Sequence, residues 1–310
     1  MEFPAIDPFT EGLLDVGDGN QVYWCVSGNP TGRPVLVVHG GPGSGSSARA
    51  RKAFDPSIFR IVQFDQRGCG RSVPSAADPR TDMAVNTTGH LMADMERLRT
   101  HLGIDRWLLY GGSWGSTLIL AYAQRHPARV TGIVLVGVTT TRRHEIDWLY
   151  RGLARLLPAE WERFAAAAPG GGDLVENYRQ LLEDPAVRHT AATEWCRWED
   201  AVIAHETLGS PGQYSAKPDT AMLAFVRICT HYFARGAWLD EGVLLREAGR
   251  LNGIRGHLIH GRLDLSAPLD TAWELAKAWP EARLHVIEDS GHTGSPAMGE
   301  AVARAIADFA

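Results

Sequence analysis

Cysteine is scarce in this sequence. The chain has only four cysteines among 310 residues, at Cys25, Cys69, Cys196 and Cys229. No two of them form a C-x-x-C pair, and their wide spacing is not typical of a disulfide framework or a structural zinc site. We therefore expect a reduced, cytoplasmic protein.

An excess of basic charge and long hydrophobic runs are also missing. The 31 Lys and Arg residues are outnumbered by 36 Asp and Glu, giving a formal net charge of -5, so charge offers no basis for binding nucleic acid or an anionic membrane. No window approaches the ~20 apolar residues that span a bilayer, and the N-terminal "MEFPAIDPFT" lacks the basic and apolar regions of a secretory signal. The expected partner is a small molecule or short peptide, bound by a monomer or small homo-oligomer.

Motifs for metal ions and phosphate groups are incomplete. The stretches "HEIDW" and "HETLG" lack the second histidine of H-E-x-x-H. The glycine-rich "HGGPGSGSS" has no G-x-x-x-x-G-K-[ST], and its match to G-x-G-x-x-G breaks at Ala48. The sequence therefore predicts neither a metal site nor a cofactor.

What the sequence does contain is a regular alternation of short apolar runs and helical patterns. Continuous β-branched runs are typical of strands buried on both faces, and strands that alternate with helices predict a parallel sheet. After about Thr139 this rhythm stops, and it returns near residue 257. We expect an α/β core formed by residues 1–139 and 240–310, interrupted by a helical cap at residues 140–239.

The stretch "YGGSWGST" lies between an apolar run and a helical pattern. Gly111 to Gly115 match G-x-S-x-G, with Ser113 at the centre. A sharp strand-to-helix turn of this kind strains its central residue and exposes the serine oxygen, and the following helix N-terminus favours developing negative charge. A flexible loop can carry the same five residues, but the strand–turn–helix context favours a nucleophile.

A serine nucleophile needs a general base and an acid that orients the base. The order expected along the chain is serine, then Asp or Glu, then histidine. Asp264 and His292 fit this order, and each follows a predicted strand at the sheet edge where ligands bind. The rival residues are placed less well: Asp270 in a predicted helix, His285 within a strand, and His257 and His260 flanking one.

The loop "HGGPGSGSS" is interpreted as an oxyanion-binding loop. The N–H of Gly41 and the N–H of Trp114, the residue after the predicted nucleophile, are candidates to hold an oxyanion together. His39 is interpreted as a support for the loop. In "DQRGCGRS", Arg67 or Arg71 is expected to form a local structural brace.

Together these motifs resemble the prolyl iminopeptidases, α/β-hydrolases that remove N-terminal proline. The resemblance covers nearly the whole chain and is carried by "HGGPG", "DQRGCGRS", "GGSWGSTLILAYAQRHP", "WCRWED", "HYF", "HGRLDLSAPLDTAWELAKAWP" and "SGH". It implies the α/β-hydrolase fold, with residues 140–239 as a cap over the active site. It also implies the triad Ser113, Asp264 and His292, in agreement with the order of the motifs.

The resemblance is less complete at the substrate-binding positions. The family holds the free amino terminus with two cap glutamates; Glu199 matches the first, whereas Cys229 stands at the second. Thr139 replaces an aromatic residue, and Leu149 stands where a tyrosine is expected after Trp148. The substrate-binding positions implied by the resemblance are Glu199, Phe233, Cys229, Thr139 and Trp148.

Three functions are compatible with these residues. The first is a serine hydrolase that releases an N-terminal, proline-like residue from small peptides or amides through an acyl-enzyme. The alternative is a related enzyme acting on another small amide, ester or lactone, for example in specialised metabolism, and the departures at Cys229, Thr139 and Leu149 favour it. A non-catalytic binding protein on the same fold is disfavoured, because all three triad positions are filled.

Overall fold

The computed structural model describes residues 3–310, and one eight-stranded sheet lies at its centre. The strands are β1 (Thr10–Gly17), β2 (Asn20–Gly28), β3 (Arg33–Val38), β4 (Phe59–Phe64), β5 (Trp107–Ser113), β6 (Val130–Val138), β7 (Gly256–Gly261) and β8 (Ala282–Ile287). Their order across the sheet is β1-β2-β4-β3-β5-β6-β7-β8. The pairs β1–β2 and β2–β4 are antiparallel, and all later pairs are parallel.

Helices connect the parallel strands and also fill the long segment between β6 and β7. They are α1 (Thr88–His101), α2 (Trp114–Arg125), α3 (Arg143–Tyr150), α4 (Pro158–Ala166), α5 (Leu174–Leu181), α6 (Arg188–Ile203), α7 (Asp219–Phe233), α8 (Val243–Arg246), α9 (Leu269–Ala278) and α10 (Pro296–Ala307). Within residues 3–310, none of the helices combines the length and the apolar character needed to cross a membrane.

Alternate residues of the central strands are buried on opposite faces of the sheet. In β3, Leu36 and Val38 belong to the core shared with α1, α2 and α9, whereas Val35 and Val37 belong to the core shared with α10. Side chains alternate between faces along a strand. Because helices cover both faces, both sets of side chains must be apolar, and this explains the continuous hydrophobic runs.

The structure confirms the predicted α/β fold and differs from the sequence interpretation in two details. β1 was not predicted; it is an edge strand whose residues alternate between exposed and half-buried, so it has no continuous apolar run. His257 and His260 lie within β7, where sequence analysis placed them beside a strand. Both are buried, because β7 is covered on both faces.

A separate aromatic core lies within the segment from α3 to α7. Its fully buried members include Tyr150, Tyr178, Trp195 and Trp198. Further along, Leu244 and Leu251 join the core of the sheet instead. The described residues between β6 and β7 contain no strand. The division of the chain into a core and a cap at residues 140–239 stays a prediction.

Candidate active site

Ser113 is at the junction of β5 and α2, on a strained backbone. Its φ of 54° and ψ of -131° lie outside the regions that non-glycine residues usually adopt. A Cβ atom at Gly111 would lie 2.6 Å from the Val38 carbonyl oxygen, and one at Gly115 would lie 2.5 Å from it. Only glycine fits at these two positions, because the turn presses directly on the end of β3. The spacing G-x-S-x-G is therefore a consequence of close backbone packing.

Asp264 and His292 form a hydrogen-bonded pair at the same edge of the sheet. Asp264 follows β7, His292 follows β8, and the distance from His292 Nδ1 to Asp264 Oδ2 is 2.8 Å. The other oxygen, Asp264 Oδ1, accepts a 2.8 Å hydrogen bond from the Ala267 N–H. Burial tends to raise the pKa of Asp264, but His292 and these hydrogen bonds hold it below its usual value. Asp264 is therefore ionised and fixed in orientation.

The carboxylates around His292 favour the imidazolium form. Burial tends to lower the pKa of His292, but Asp264, together with Glu206 and Glu199, raises it to about 9. A cation at this position forms when the imidazole accepts a proton. The environment of His292 thus stabilises the state that a general base reaches during acyl transfer.

His260 supports the Asp264 loop as a neutral imidazole. Its Nδ1 accepts a 3.0 Å hydrogen bond from the Val138 N–H, so the ring proton is on Nε2, which donates to the Ala267 carbonyl oxygen at 2.6 Å. Burial lowers the pKa of His260. Because both nitrogens are engaged with the backbone, His260 is not placed to accept a proton from Ser113.

The glycine-rich loop after β3 approaches the serine turn closely. A Cβ atom at Gly40 would lie 2.9 Å from the Gly112 carbonyl oxygen, and Gly41 has a φ of 115° that favours glycine. His39 Nε2 accepts a 3.0 Å hydrogen bond from the Gln66 N–H, which ties the loop to the segment after β4. The loop therefore lies against the turn that carries Ser113.

A cavity of about 260 Å³ opens over Ser113. The predicted site residues that line it are Ser113, His292, Gly41, Trp114, Thr139, Glu199 and Phe233. The three others are not among the lining residues. Asp264 is hydrogen-bonded to His292, Cys229 Sγ is 3.2 Å from the Pro42 carbonyl oxygen, and Trp148 Nε1 donates to the Leu265 carbonyl oxygen at 2.8 Å. The structure thus brings most of the predicted positions to one small cavity.

Glu199 is a buried carboxyl group of α6 that lines this cavity. Its Oε1 accepts a 2.7 Å hydrogen bond from the Tyr150 hydroxyl. Burial, opposed in part by this hydrogen bond, raises the pKa of Glu199 to about 7. A cation beside such a carboxyl group stabilises its ionised form and lowers its pKa.

Sequence analysis missed Tyr150, Tyr214 and Glu145, which also line the cavity. The resemblance placed the expected tyrosine at position 149, whereas Leu149 and Tyr150 both face the cavity and Tyr150 contacts Glu199. The expected tyrosine is therefore one position further along the chain, and comparison with that position would have identified Tyr150. Glu145 holds the turn after β6 by accepting hydrogen bonds from the N–H groups of Thr140 and Arg142. No sequence signal separates Glu145 from surface carboxylates.

Comparisons with known proteins agree with this architecture. Residues 33–205 match the model of the alpha/beta hydrolase fold family. A probable proline iminopeptidase of Streptomyces coelicolor is 49% identical over 317 aligned residues, covering 99% of this chain and 97% of that protein. A proline iminopeptidase of Xanthomonas citri is 44% identical and covers 99% of both chains. The chain belongs to the proline iminopeptidase family of α/β hydrolases.

Solved structures support the fold of this family member. The crystal structure of VinJ superimposes with a TM-score of 0.69 at 20% identity, covering 98% of both chains. The proline iminopeptidase of Mycobacterium smegmatis gives a TM-score of 0.65 at 19% identity, covering 97% of both chains. At such identities the likeness concerns the fold alone. The expected family resemblance is confirmed by the closer relatives, and the protein is a serine hydrolase of the proline iminopeptidase type.

Proposed function

We propose that this protein releases an N-terminal, proline-type residue from short peptides or small amides. The observation that carries the proposal is the cavity over Ser113, which joins a strained serine and the His292–Asp264 pair to the buried carboxyl of Glu199. An acyl-transfer centre thus lies beside a group suited to a substrate ammonium. The small volume of about 260 Å³ favours a single residue on the acyl side.

The proposed reaction begins with attack of the Ser113 hydroxyl oxygen on the substrate carbonyl carbon. His292 accepts the hydroxyl proton at Nε2, because Nδ1 faces Asp264. The oxygen–carbon bond forms, and the carbonyl π electrons move to the oxygen as an oxyanion. Asp264 keeps the ring in the required tautomer and stabilises the imidazolium.

The oxyanion is held by the N–H groups of Gly41 and Trp114 in this proposal. When it collapses, the carbon–nitrogen bond breaks and His292 returns its proton to the leaving amine, leaving an acyl-enzyme on Ser113. Water then attacks the ester carbonyl with the same proton transfers in the second half-reaction, freeing the acid and the serine. In each half-reaction, the proton that His292 accepts from the attacking hydroxyl group or water is passed on to the leaving group.

Recognition of the free amino terminus is assigned to Glu199. An ammonium group placed next to it would hold its carboxyl in the ionised state. Phe233 and Tyr150 supply apolar ring surface at the same end of the cavity. The acyl residue would therefore lie between the predicted cap and Ser113, with its amine toward Glu199.

A second candidate is hydrolysis of another small amide, ester or lactone. It is favoured by Cys229 at the position of a family glutamate, and by Thr139 at a pocket position where the family has an aromatic residue. A single carboxylate attracts an ammonium less than two do. This enzyme would then retain acyl transfer but discriminate weakly for a free N-terminus.

A panel of chromogenic substrates separates the two candidates. It contains prolyl, other aminoacyl and uncharged acyl-ester compounds with the same leaving group. The highest kcat/KM on the prolyl compound supports the proposed aminopeptidase. A preference for esters or N-blocked amides over every free-amine compound favours the second candidate and rejects the first.

The Glu199→Gln variant is expected to lose selectivity for substrates with a free amine. Charge-assisted hydrogen bonds contribute ~1.5–3 kcal/mol, so the ratio of prolyl to uncharged-ester kcat/KM should fall about 10- to 100-fold. In the wild type this ratio should also fall as the pH drops through about 7, because the pKa of Glu199 lies there and protonation removes its charge. In the variant the ratio should not follow pH in this range. An unchanged ratio would show that Glu199 does not bind the substrate amine.

The Cys229→Glu variant is expected to raise the prolyl-to-ester ratio. Cys229 and Glu199 are both buried, and the charge of Glu199 contributes to raising the pKa of the Cys229 thiol, so a carboxylate at position 229 would interact with that of Glu199. Two like charges disfavour each other when the site is empty and favour a cation between them. We therefore expect better prolyl turnover and a lower melting temperature of the free enzyme.

Cys229→Gln is the matched control, since it has the size of glutamate without the charge. The prediction fails if both variants change the ratio equally, or if folded Cys229→Glu leaves it unmoved. Wild type that already prefers prolyl amides strongly would also count against the argument from Cys229.

The proposal also covers the cellular compartment, the oligomeric state and the class of partner. We propose a short peptide as substrate and a cytoplasmic enzyme that is a monomer or small homo-oligomer. The four cysteines are all buried and unpaired, which is compatible with a reducing compartment. Nucleic acid is not among the proposed partners, given the net charge of -5.

A further inference from the structure

Glu206 is a buried carboxylate that reaches from the turn after α6 to the loop of His292. Only 7% of the residue is exposed. Its Oε2 accepts hydrogen bonds from the Thr293 N–H at 2.6 Å and from the Thr293 hydroxyl at 2.7 Å. The turn of Glu206 is 87 residues earlier in the chain than this loop. The contact therefore joins the predicted cap to the residue next to the triad histidine.

The Glu206 carboxylate also lies close to Gly291, the residue before His292. A Cβ atom at Gly291 would lie 2.3 Å from Glu206 Cδ and 2.7 Å from Glu206 Oε1. No side chain larger than that of glycine fits at this position unless the carboxylate moves. Glu206 thus contacts Gly291 and Thr293, the residues on either side of His292. These two contacts restrain the backbone of His292.

The turn that carries Glu206 also touches the loop of Asp264. His205 Nε2 lies 3.4 Å from the Leu263 carbonyl oxygen, and Leu263 N–H donates to the Ser290 carbonyl oxygen at 2.9 Å. The two catalytic loops are therefore linked to each other and to this one turn. Movement of the turn would alter the position of His292 relative to Ser113.

We propose that Glu206 is a positioning residue for His292, so that the predicted cap contributes to catalysis as well as to substrate binding. The inference rests on the proposed roles of Ser113, His292 and Asp264. Glu206 acts through the backbone of Gly291 and Thr293 and does not itself touch the substrate.

The charge of Glu206 provides a second, separate test, because it contributes to the pKa of His292. The titratable groups that interact with His292 are Asp264 and His260 from β7 and its following loop, and Glu206 and Glu199 from α6 and its following turn. The negative charge of Glu206 adds to that of Asp264 in raising the pKa of His292. Removal of this charge lowers the pKa, so the neutral base persists to lower pH.

Glu206→Ala and Glu206→Gln separate position from charge. The alanine variant removes both, whereas glutamine keeps an oxygen that can accept from Thr293. We expect kcat on an uncharged ester to fall about 10- to 100-fold in Glu206→Ala, the range for a misplaced catalytic group. In Glu206→Gln the plateau kcat should recover, while the acid limb of the pH profile moves to lower pH. An ester is used because amine binding by Glu199 then does not affect the profile.

Glu183→Gln is the control. Glu183 pairs with Arg227, and Arg227 in turn joins the predicted cap to the rest of the chain by donating to the carbonyl oxygens of Ala76 and Asp78. The loss of the Glu183 carboxylate is expected to lower the melting temperature without moving the acid limb. Folded Glu206→Ala with wild-type kcat, or Glu206→Gln with an unmoved limb or without recovery of kcat, overturns the proposal. If the alanine variant does not fold, the pH profile of Glu206→Gln and the imidazole titration of His292 by NMR decide between the same outcomes.

Failure of this inference is distinguishable from failure of the proposed function. If Glu206 has no positioning role, turnover still depends on Ser113. If turnover survives Ser113→Ala, the proposed nucleophile is wrong whatever the Glu206 variants do.

Discussion

The Ser113→Ala variant is expected to lose turnover by a factor on the order of 10⁶, the loss seen when the nucleophile of a serine triad is removed. Ser113 alone is on the strained turn between β5 and α2, with its side chain in the cavity that His292 also lines. The glycine-rich loop lies beside Ser113, because a Cβ atom at Gly40 would be 3.3 Å from Ser113 Cβ. The residual rate should be the same for amides and esters relative to wild type, because acyl-enzyme formation is lost for both.

Stability should change little in this variant, since alanine keeps the Cβ atom and the strained backbone is the same. The measurement is steady-state turnover together with mass spectrometry after treatment with a fluorophosphonate, which forms an adduct with an activated serine. Ser266→Ala is the control, because Ser266 also lines the cavity but lies after β7. An adduct on any serine other than Ser113 would contradict the assignment.

The serine turn was predictable from sequence because the residues that form it are consecutive in the chain. Gly111 and Gly115 are required by contacts with one strand end, and the strand and helix that flank Ser113 have clear patterns of their own. Asp264 and His292 were predictable for a different reason. The carboxyl ends of parallel strands meet at one edge of a sheet, so residues far apart in the chain are brought together by topology.

The contacts made by the segment between β6 and β7 were not predictable in the same way. Tyr150 meets Glu199 only because α3 packs near α6, and Glu206 meets Thr293 only because the turn after α6 lies against the loop after β8. Hydrophobic periodicity gives the buried face of a helix but not which polar side chain on a neighbouring element it will meet. β1 escaped prediction because an exposed edge strand carries no continuous apolar run.

The second large effect is expected for Asp264→Asn, with a loss of kcat of about 10⁴-fold. The Asp264 carboxylate accepts from His292 Nδ1, so the free lone pair of the imidazole is on Nε2. His292 and Ser113 line the same cavity. The introduced amide can donate to Nδ1 instead, and this favours the tautomer with the proton on Nε2, which cannot act as the base. Loss of the charge also removes the main contribution that raises the pKa of His292. The remaining activity should therefore show an acid limb at lower pH than wild type.

Asp270→Asn provides the comparison, because Asp270 is the rival acid and lies in the first turn of α9, where its Oδ1 accepts from the Thr271 N–H. That contact is local to the helix, so its loss should affect stability more than rate. kcat and the pH profile of both variants are measured with one ester substrate. An Asp264→Asn enzyme with wild-type kcat, or an Asp270→Asn enzyme with the larger loss, would show that Asp264 does not orient His292. The buried carboxylate would then have only a structural role, which its hydrogen bond to Ala267 N–H would fulfil by itself.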